Sequence, residues 1–300
     1  MYRHIRYMIV IVILILILLL LEVKWYWYLH EETKVQKLSD PFVIECYGLK
    51  QACIEKNLKK PTPLLQSEYA DIHFSQDNQD QIVYDILKRN DGFFVEMGGF
   101  DGKTFSNTLW LERQHSWTGL LVEANPSLCK AIDELKRNVW RLCGCISSAQ
   151  NTTFIKAGAL GGSIDTLGPN RLETLVLTNN LTVPCFKLDE VLSKIGIKRI
   201  NYFSLDVEGG ELTALKSIKN ELISKEIVVD VWTTIEYMVW NGKSISKDES
   251  KKNLESLRTF FQEIGGYYEH SHLLKTSDAV FVNINSACIS HKQKPYGSVC

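Results

Sequence analysis

The chain has 300 residues, of which 45% are hydrophobic, and its 34 basic and 35 acidic side chains leave a net charge of -1 at pH 7. A charge this close to zero gives no electrostatic footprint for nucleic acid, so we expect small molecules, glycans or proteins as partners. About 270 residues follow the first apolar run, which is enough for one sizeable α/β core.

An apolar run near the amino terminus predicts a membrane anchor. Residues 8–21 are all Ile, Val, Leu or Met, and at about 1.5 Å per residue they span roughly 21 Å, which flanking aromatic residues can extend to both bilayer interfaces. A cleaved signal peptide is the alternative, because Arg3 and Arg6 precede the run. Residues 22–29 are charged and bulky and lack a signal peptidase site. We therefore predict a cytosolic tail over residues 1–7 and an uncleaved signal anchor over residues 8–29.

The orientation of this anchor is not settled by its flanking basic residues, which lie on both sides of the run. Two glycosylation sequons, with acceptors Asn151 and Asn180, and eight cysteines are typical of an oxidising compartment. The sequence therefore predicts a single-pass type II membrane protein of the endoplasmic reticulum or Golgi, with a lumenal globular domain.

Residues 30–70 predict a stem, because they mix charges with prolines and have no sustained apolar period. Cys46 and Cys53 lie close together there and could pair, although sequence alone does not determine disulfide partners. We expect the globular domain over residues 71–285 and a C-terminal tail over residues 286–300.

The most informative segment of the chain is Val95–Gly102, in which an apolar strand runs into glycines. Glycines there allow a tight turn and let the backbone approach a ligand closely. The next apolar run ends in Glu123, whose carboxylate can bind ribose hydroxyls. Glu96 precedes Gly98, so the order is acidic-x-Gly-x-x-x-Gly and differs from the dinucleotide pattern G-x-G-x-x-G. Together the two strand ends predict a nucleotide-type ligand site.

Strands and helices alternate through the globular part. The apolar patterns predict buried strands over residues 93–96, 119–123, 140–146, 200–206 and 226–231, and helices over residues 126–137, 188–195, 211–222 and 250–264. This rhythm indicates a parallel sheet with crossover helices. Residues 267–274 and 279–282 flank a short turn, which predicts an antiparallel hairpin at the end of the sheet.

Two carboxylates follow the predicted strand over residues 200–206. Asp206 and Glu208 are two residues apart, so both can project to the same side of the chain. They could act as a general base, bind a divalent cation or cap the next helix. Glu211 fits the favourable charge at a helix N-terminus.

Two other residue pairs are weaker candidates for metal binding. His270 and His272 alternate along a predicted strand, but no third ligand lies at a diagnostic spacing, and we predict no metal site. Cys143 and Cys145 also alternate, and one intervening residue fits structural zinc poorly. We expect these two cysteines to be small buried residues.

Several ordered motifs resemble the FkbM-type methyltransferase family. They are Ser75–Asp80, Phe94–Gly98, Asp101–Gly102, Ser106–Leu109, Leu111–Glu112, Trp117–Ala124 and Ser204–Glu211. The order of acidic residue and glycines is similar to the S-adenosylmethionine motif of class I methyltransferases. The pattern is most similar to the animal, membrane-anchored, Star-like branch, and the resemblance extends over residues 74–285.

The resemblance implies a Rossmann-like class I methyltransferase fold, an α/β fold with a mostly parallel sheet and a C-terminal antiparallel hairpin, that binds S-adenosylmethionine. The residues that it places at the cofactor are Glu96, Gly98, Gly99, Asp101, Gly102, Asn107, Glu123, Asp206 and Glu208. From the residues alone, Glu96 could instead cap a loop, Asp101 could be a turn aspartate and Asn107 could start a helix.

The reaction that the resemblance implies is O-methylation of an unidentified acceptor, either a small molecule or a glycan. Asp206 is the candidate catalytic base. The alternative is a catalytically inactive, Star-like trafficking protein that binds secretory cargo.

Overall fold

The structure is a computed structural model, which describes residues 50–62, 72–157, 161–167, 180–236, 239–240, 245–270 and 278–286. The cytosolic tail, the anchor, most of the stem and most of the C-terminal tail expected from the sequence lie outside these ranges. Within the described ranges, no helix is long and apolar enough to cross a membrane.

The first half of the described chain alternates short helices and strands. In chain order it contains α1 (Lys50–Asn57), β1 (Leu58–Lys59), α2 (Gln79–Leu87), β2 (Phe93–Met97), α3 (Leu109–His115), β3 (Thr118–Glu123), α4 (Pro126–Glu134), β4 (Trp140–Cys143), β5 (Cys145–Ile146), β6 (Asn151–Ile155) and β7 (Gly162–Ser163).

The second half continues the alternation and ends in a hairpin. It contains β8 (Asn180–Phe186), α5 (Leu188–Ile195), β9 (Arg199–Leu205), α6 (Glu211–Ser217), α7 (Lys219–Ser224), β10 (Val228–Glu236), β11 (Val239–Trp240), β12 (Ile245–Ser246), α8 (Lys247–Ile264), β13 (Tyr267–Glu269) and β14 (Asp278–Asn283).

An eight-stranded mixed sheet forms the centre, in the order β1-β4-β3-β2-β9-β10-β14-β13. The inner strands from β4 to β10 pair in parallel, and β1, β14 and β13 pair antiparallel with their neighbours. This arrangement confirms the expected Rossmann-like α/β fold with a closing hairpin. A smaller sheet in the order β5-β8-β6-β7 follows β4 along the chain, and β11 and β12 form a two-stranded ribbon.

Two apolar layers cover the faces of the large sheet. Phe94 and Val95 are neighbours in β2, and they belong to different buried clusters because successive side chains of a strand point to opposite faces. The cluster around Val95 includes Phe260 and Phe261 of α8, and the cluster around Phe94 includes Val83 of α2. Burial on both faces explains why these strands are apolar runs without alternation.

Two of the elements predicted from the sequence are interrupted in the structure. The strand expected over residues 140–146 is broken at Gly144, so β4 stays in the large sheet while β5 pairs with β8. Gly144 has a φ of +150°, and a Cβ there would lie 2.6 Å from the Pro184 carbonyl oxygen, which leaves no room for a side chain. The helix expected over residues 211–222 breaks at Ile218, whose φ of -121° is not helical.

Candidate functional site

The carboxyl ends of three parallel strands meet at one edge of the large sheet. Met97, the last residue of β2, is in register with Val122 of β3 and with Leu205 of β9. The loops that follow these strands border a cavity of about 370 Å³, which is within the usual range for small-molecule sites. The carboxyl edge is where open α/β sheets bind their ligands.

Most of the residues predicted at the cofactor share this cavity. Its lining includes Glu96, Gly98, Gly99, Asn107, Glu123, Asp206 and Glu208. Asp101 and Gly102 belong to the loop of residues 98–102 after β2, which we call the glycine loop, but they do not line the cavity. The Asp101 carboxylate accepts hydrogen bonds from the backbone N–H groups of Lys103 and Thr104 at 2.9 and 2.7 Å, which is the geometry of a turn aspartate.

Gly98 directly follows β2 and lies against the backbone of Asp206, the residue after β9. It has a φ of +83°, and a Cβ added to it would lie 1.8 Å from the Asp206 carbonyl oxygen. The Asp206 N–H donates to the Met97 carbonyl at 3.1 Å. A side chain at position 98 would therefore separate the ends of the two strands. The glycine at this position is required by the neighbouring backbone, independently of any ligand.

Glu123 joins the glycine loop to the loop that follows β3. Its Oε2 accepts from the Phe100 N–H at 3.0 Å, and its Oε1 accepts from the Asn125 N–H at 2.7 Å. Only 6% of the residue is exposed. Burial raises the pKa of Glu123 to about 7, and the backbone hydrogen bonds only partly offset that effect.

Glu96 holds the segment that leads into α3. Its Oε1 accepts from the Asn107 N–H at 2.7 Å, and its Oε2 accepts from the hydroxyls of Ser106 and Thr108 at 3.0 and 2.5 Å. Burial raises the pKa of this carboxyl, while the Arg137 guanidinium lowers it. With these contacts Glu96 caps the loop before α3, which is the alternative role that the sequence left open. Contact between Glu96 and a cofactor stays a prediction. Asn107 donates from Nδ2 to the Ser204 hydroxyl at 3.0 Å.

Arg137 is a buried residue that contacts the site, and the sequence did not indicate this role. Its side chain is 1% exposed, and it donates from Nε to Glu112 at 2.7 Å and from Nη1 to the Gly102 carbonyl at 2.8 Å. Nη1 also lies 3.7 Å from Glu96 Oε2. This single guanidinium connects the glycine loop with α3. No pattern in the sequence pairs it with these partners, which lie 25 to 41 positions earlier.

The turn after β9 presents two carboxylates to the cavity. Asp206 is partly buried, and Glu208 adopts left-handed backbone with a φ of 58°. Glu211 holds this turn, because its Oε1 accepts from the N–H groups of Val207 and Gly209 at 3.0 and 3.1 Å. Burial raises the pKa of Glu211. The sequence assigned Glu211 to the helix terminus, and the structure adds a specific role in shaping the turn.

Cys143 and Cys145 form disulfides, which the sequence analysis did not anticipate. Cys143 bonds Cys129 of α4, and Cys145 bonds Cys185 of β8. Cys53 is also disulfide-bonded, whereas Cys46 lies outside the described residues. Because Cys145 lines the cavity, one of these bonds fixes the junction between the site and the small sheet.

The two histidines show no metal centre in the part of the chain that can be described. His270 donates its backbone N–H to the Val280 carbonyl at 2.8 Å, and His272 lies outside the described residues. Among the described residues, no group of three or more His, Cys, Asp or Glu side chains is placed to hold a metal ion.

The site fits S-adenosylmethionine, the cofactor that the sequence resemblance implies. A buried carboxylate at the end of β3 can accept hydrogen bonds from the two ribose hydroxyls. Gly98 and Gly99 line the cavity at the neighbouring strand end. Leu128 and Ile146 supply apolar lining for a nucleoside base.

Comparison with known proteins finds solved structures of low similarity, and no curated protein matches the chain. The methyltransferase FkbM from Methylobacillus flagellatus KT is 12% identical, with a TM-score of 0.37, over 64% of this chain and 43% of its own. The METTL16 MTase domain is 13% identical, with a TM-score of 0.39, over 68% of this chain and 65% of its own. The chain thus spans less than two thirds of either protein. Aeropyrum pernix fibrillarin, solved with natively bound S-adenosyl-L-methionine, is 8% identical, with a TM-score of 0.33, over 68% of this chain and 72% of its own.

A family model gives the assignment. The model described as the methyltransferase FkbM domain matches residues 90–267, which is more than half of the chain. The matched range contains the glycine loop, Glu123 and the turn after β9, so it covers the cavity described above. The cofactor of this protein is S-adenosylmethionine, and the chain belongs to the FkbM methyltransferase family.

Proposed function

We propose that this protein transfers the methyl group of S-adenosylmethionine to a hydroxyl oxygen, with Asp206 as the general base. One observation carries the proposal: Asp206 at the end of β9 and Glu123 at the end of β3 line the same cavity. The cavity therefore has one carboxylate that can take up a proton, Asp206, and one buried carboxylate that can bind ribose hydroxyls, Glu123.

The chain's own residues have separate tasks in this mechanism. Bound S-adenosylmethionine supplies a methyl group that its sulfonium makes electrophilic. Glu123 and the glycine loop hold the nucleoside, so that the reacting atoms are positioned in line. Asp206 accepts the hydroxyl proton as the acceptor oxygen bonds to the methyl carbon and the sulfur–carbon bond breaks. The proton then passes from Asp206 to water.

The proposal extends to the cellular location. We place the domain in the lumen of the endoplasmic reticulum or Golgi, held by a type II anchor over residues 8–29, as in the Star-like branch. Disulfides persist mainly in oxidising compartments, and the Cys129–Cys143 and Cys145–Cys185 bonds support this location. Asn151 and Asn180 are both exposed, as glycosylation requires. A glycan or another secretory hydroxyl compound is then the acceptor.

The test combines a binding measurement with a turnover measurement on the full-length protein in detergent. Calorimetry measures the affinity for S-adenosylmethionine and for its demethylated product, and labelled methyl transfer is then followed with a panel of hydroxyl acceptors. Asp206→Asn should lower transfer by about 100-fold or more and leave cofactor affinity nearly unchanged. Full transfer by a folded Asp206→Asn protein would eliminate the general-base role.

A matched control is available at Asp91, which is exposed and adopts left-handed backbone that Asn also tolerates. Asp91→Asn should leave both measurements unchanged. Binding of S-adenosylmethionine without methyl transfer to any acceptor in the panel would instead favour the alternative function, that of a catalytically inactive trafficking protein that binds secretory cargo.

A further inference from the structure

The small sheet supplies a second wall of the cavity, on the side of the Asp206 turn. Thr152 of β6, Ser163 of β7 and Asp165 all line the cavity, and we call these three residues the hydroxyl shelf. A Cβ added to Gly162 would lie 3.6 Å from Cβ of Glu208, and one added to Gly209 would lie 3.1 Å from the Thr166 carbonyl oxygen. The shelf segment therefore packs directly against the turn that carries the proposed base.

The hydrogen bonds within the shelf determine what it offers to a ligand. The Thr152 hydroxyl donates to Asp165 Oδ2 at 3.0 Å, because a carboxylate oxygen only accepts. Thr152 and Ser163 are joined by a hydroxyl–hydroxyl contact of 2.6 Å, so the proton in that contact comes from Ser163. Both hydroxyl protons are thus used within the shelf. What the shelf presents is oxygen lone pairs, which bind the O–H groups of a ligand.

The charge of the lining excludes one class of acceptor. Every charged side chain among the described lining residues is a carboxylate, and Lys, Arg and His are absent from that set. Asp165, Asp206 and Glu208 lie on the shelf side. A phosphorylated or carboxylated acceptor would meet these like charges, and no cationic side chain of the described lining balances them. A cationic acceptor would be placed beside the positive sulfonium of the cofactor, which leaves neutral acceptors as the favoured class.

Two phenylalanines give the same cavity an apolar surface. Phe100 and Phe105 both line it, and their rings are stacked with centroids 6.5 Å apart. Phe105 is 48% exposed, and both residues adopt left-handed backbone, with φ values of 48° and 61°. Such backbone is costly for bulky residues and is concentrated at functional sites. Exposed aromatic faces suit a ligand that has an apolar face as well as hydroxyl groups.

We propose that the hydroxyl shelf and the two phenylalanines form an acceptor subsite for a neutral, polyhydroxylated ring of the sugar type. Lone pairs on the shelf bind ring hydroxyls, the aromatic faces contact the C–H face of the ring, and the carboxylates exclude anionic sugars. This subsite rests on the proposed methyl transfer, for which it defines the acceptor class.

The test measures glycoside binding separately from turnover. Saturation-transfer NMR is recorded on the full-length protein in detergent, with sinefungin bound, an analogue that keeps a positive charge near the sulfonium position and has no methyl group to transfer, against neutral methyl hexosides, their 6-phosphates, the matching uronic acids and the matching amino sugars. We expect binding of neutral hexosides and at least about 100-fold weaker binding of the phosphates and uronic acids. Equal binding of neutral and anionic forms, preferential binding of the amino sugars, or no hexoside binding at all would each overturn the subsite.

Reversing the charge of Asp165 tests the shelf by a gain in the binding of hexose phosphates, which a misfolded variant would not show. Asp165 is exposed, so Asp165→Lys should fold, and a titration with S-adenosylmethionine checks this. The variant should bind neutral hexosides about tenfold more weakly and hexose phosphates measurably better than the wild type. Thr152→Val should weaken neutral hexosides alone, and it keeps the Asn151 sequon because Thr153 remains. An unchanged preference in both variants would overturn the assignment of the shelf.

The outcomes for the subsite and for methyl transfer can be distinguished. Hexoside binding without methyl transfer would contradict the proposed reaction and leave the subsite intact. Methyl transfer to an acceptor whose binding is unaffected by both shelf variants would contradict the subsite and leave the reaction intact.

Discussion

Glu123→Gln tests the central carboxylate through its effect on folding. Glu123 has an ordinary pKa of 4.5 and a pKa of about 7 in the folded protein, raised by burial. Between these values the folded protein binds a proton that the unfolded chain lacks, so the free energy of unfolding falls as the pH rises. A shift of about 2.5 units, at about 1.4 kcal/mol per unit, gives a loss of about 3 kcal/mol across this window.

The glutamine variant has no such titration. Its free energy of unfolding, minus that of the wild type, should therefore rise by about 3 kcal/mol between pH 4.5 and pH 8. Buried Glu96 and Glu211 titrate in both proteins and cancel in this difference. The amide offers one oxygen to the two backbone donors at Phe100 and Asn125, so one donor loses its partner, at about 1–3 kcal/mol. That cost does not vary with pH. It lowers the variant's free energy of unfolding equally at every pH, so the predicted rise of the difference with pH is unchanged.

Cofactor binding should show the opposite dependence on the charge of Glu123, because the ribose hydroxyls donate to the carboxylate. Wild-type affinity for S-adenosylmethionine should fall by about tenfold per pH unit below about pH 7. At pH 8 the variant should bind about 10- to 150-fold more weakly than the wild type. The affinity of the variant for S-adenosylmethionine should not show the fall with decreasing pH that is expected for the wild type.

Denaturant unfolding followed by circular dichroism, and calorimetric titration with the cofactor, are performed on both proteins at intervals from pH 4.5 to pH 8. Parallel unfolding profiles would refute the raised pKa of Glu123. Equal cofactor affinity in a folded variant would refute its assignment to the ribose.

Three further predictions concern the loop, the guanidinium and the topology. Gly98→Ala should unfold the domain or lower its thermal midpoint sharply, because the added Cβ would lie 1.8 Å from the Asp206 carbonyl oxygen. The control Gly196→Ala tests backbone strain alone, because nothing lies within 4 Å of its added Cβ. Similar thermal midpoints for the two variants would be evidence against the steric explanation. Arg137→Ala should reduce the free energy of unfolding by about 3–5 kcal/mol, because Glu96 and Glu112 lose their buried partner, and denaturant melts that match the wild type would contradict this. In microsomes opened with detergent, glycosidase should increase the gel mobility of the full-length protein, whereas in sealed microsomes protease should spare the globular domain until detergent is added; digestion without detergent would contradict the lumenal orientation.

The sequence by itself determined the α/β class and the principal strand ends of the site. Glu123 and Asp206 each follow an apolar run, and parallel strands that are buried on both faces produce such runs whatever their partners are. The carboxyl ends of parallel strands share one edge of a sheet, so these local patterns place both carboxylates at that edge, and the family resemblance assigned both of them to the cofactor.

Tertiary structure alone decided the features that depend on distant neighbours. The break at Gly144, the Cys145–Cys185 bond, the Arg137 contacts and the hydroxyl shelf each join residues whose pairing leaves no local periodic signal. A pattern of apolar residues reports which positions are buried, but not which side chains meet there. The end of the cavity at Asp206 follows from the parallel strands, whereas the wall formed by the hydroxyl shelf depends on how the small sheet packs against the turn after β9.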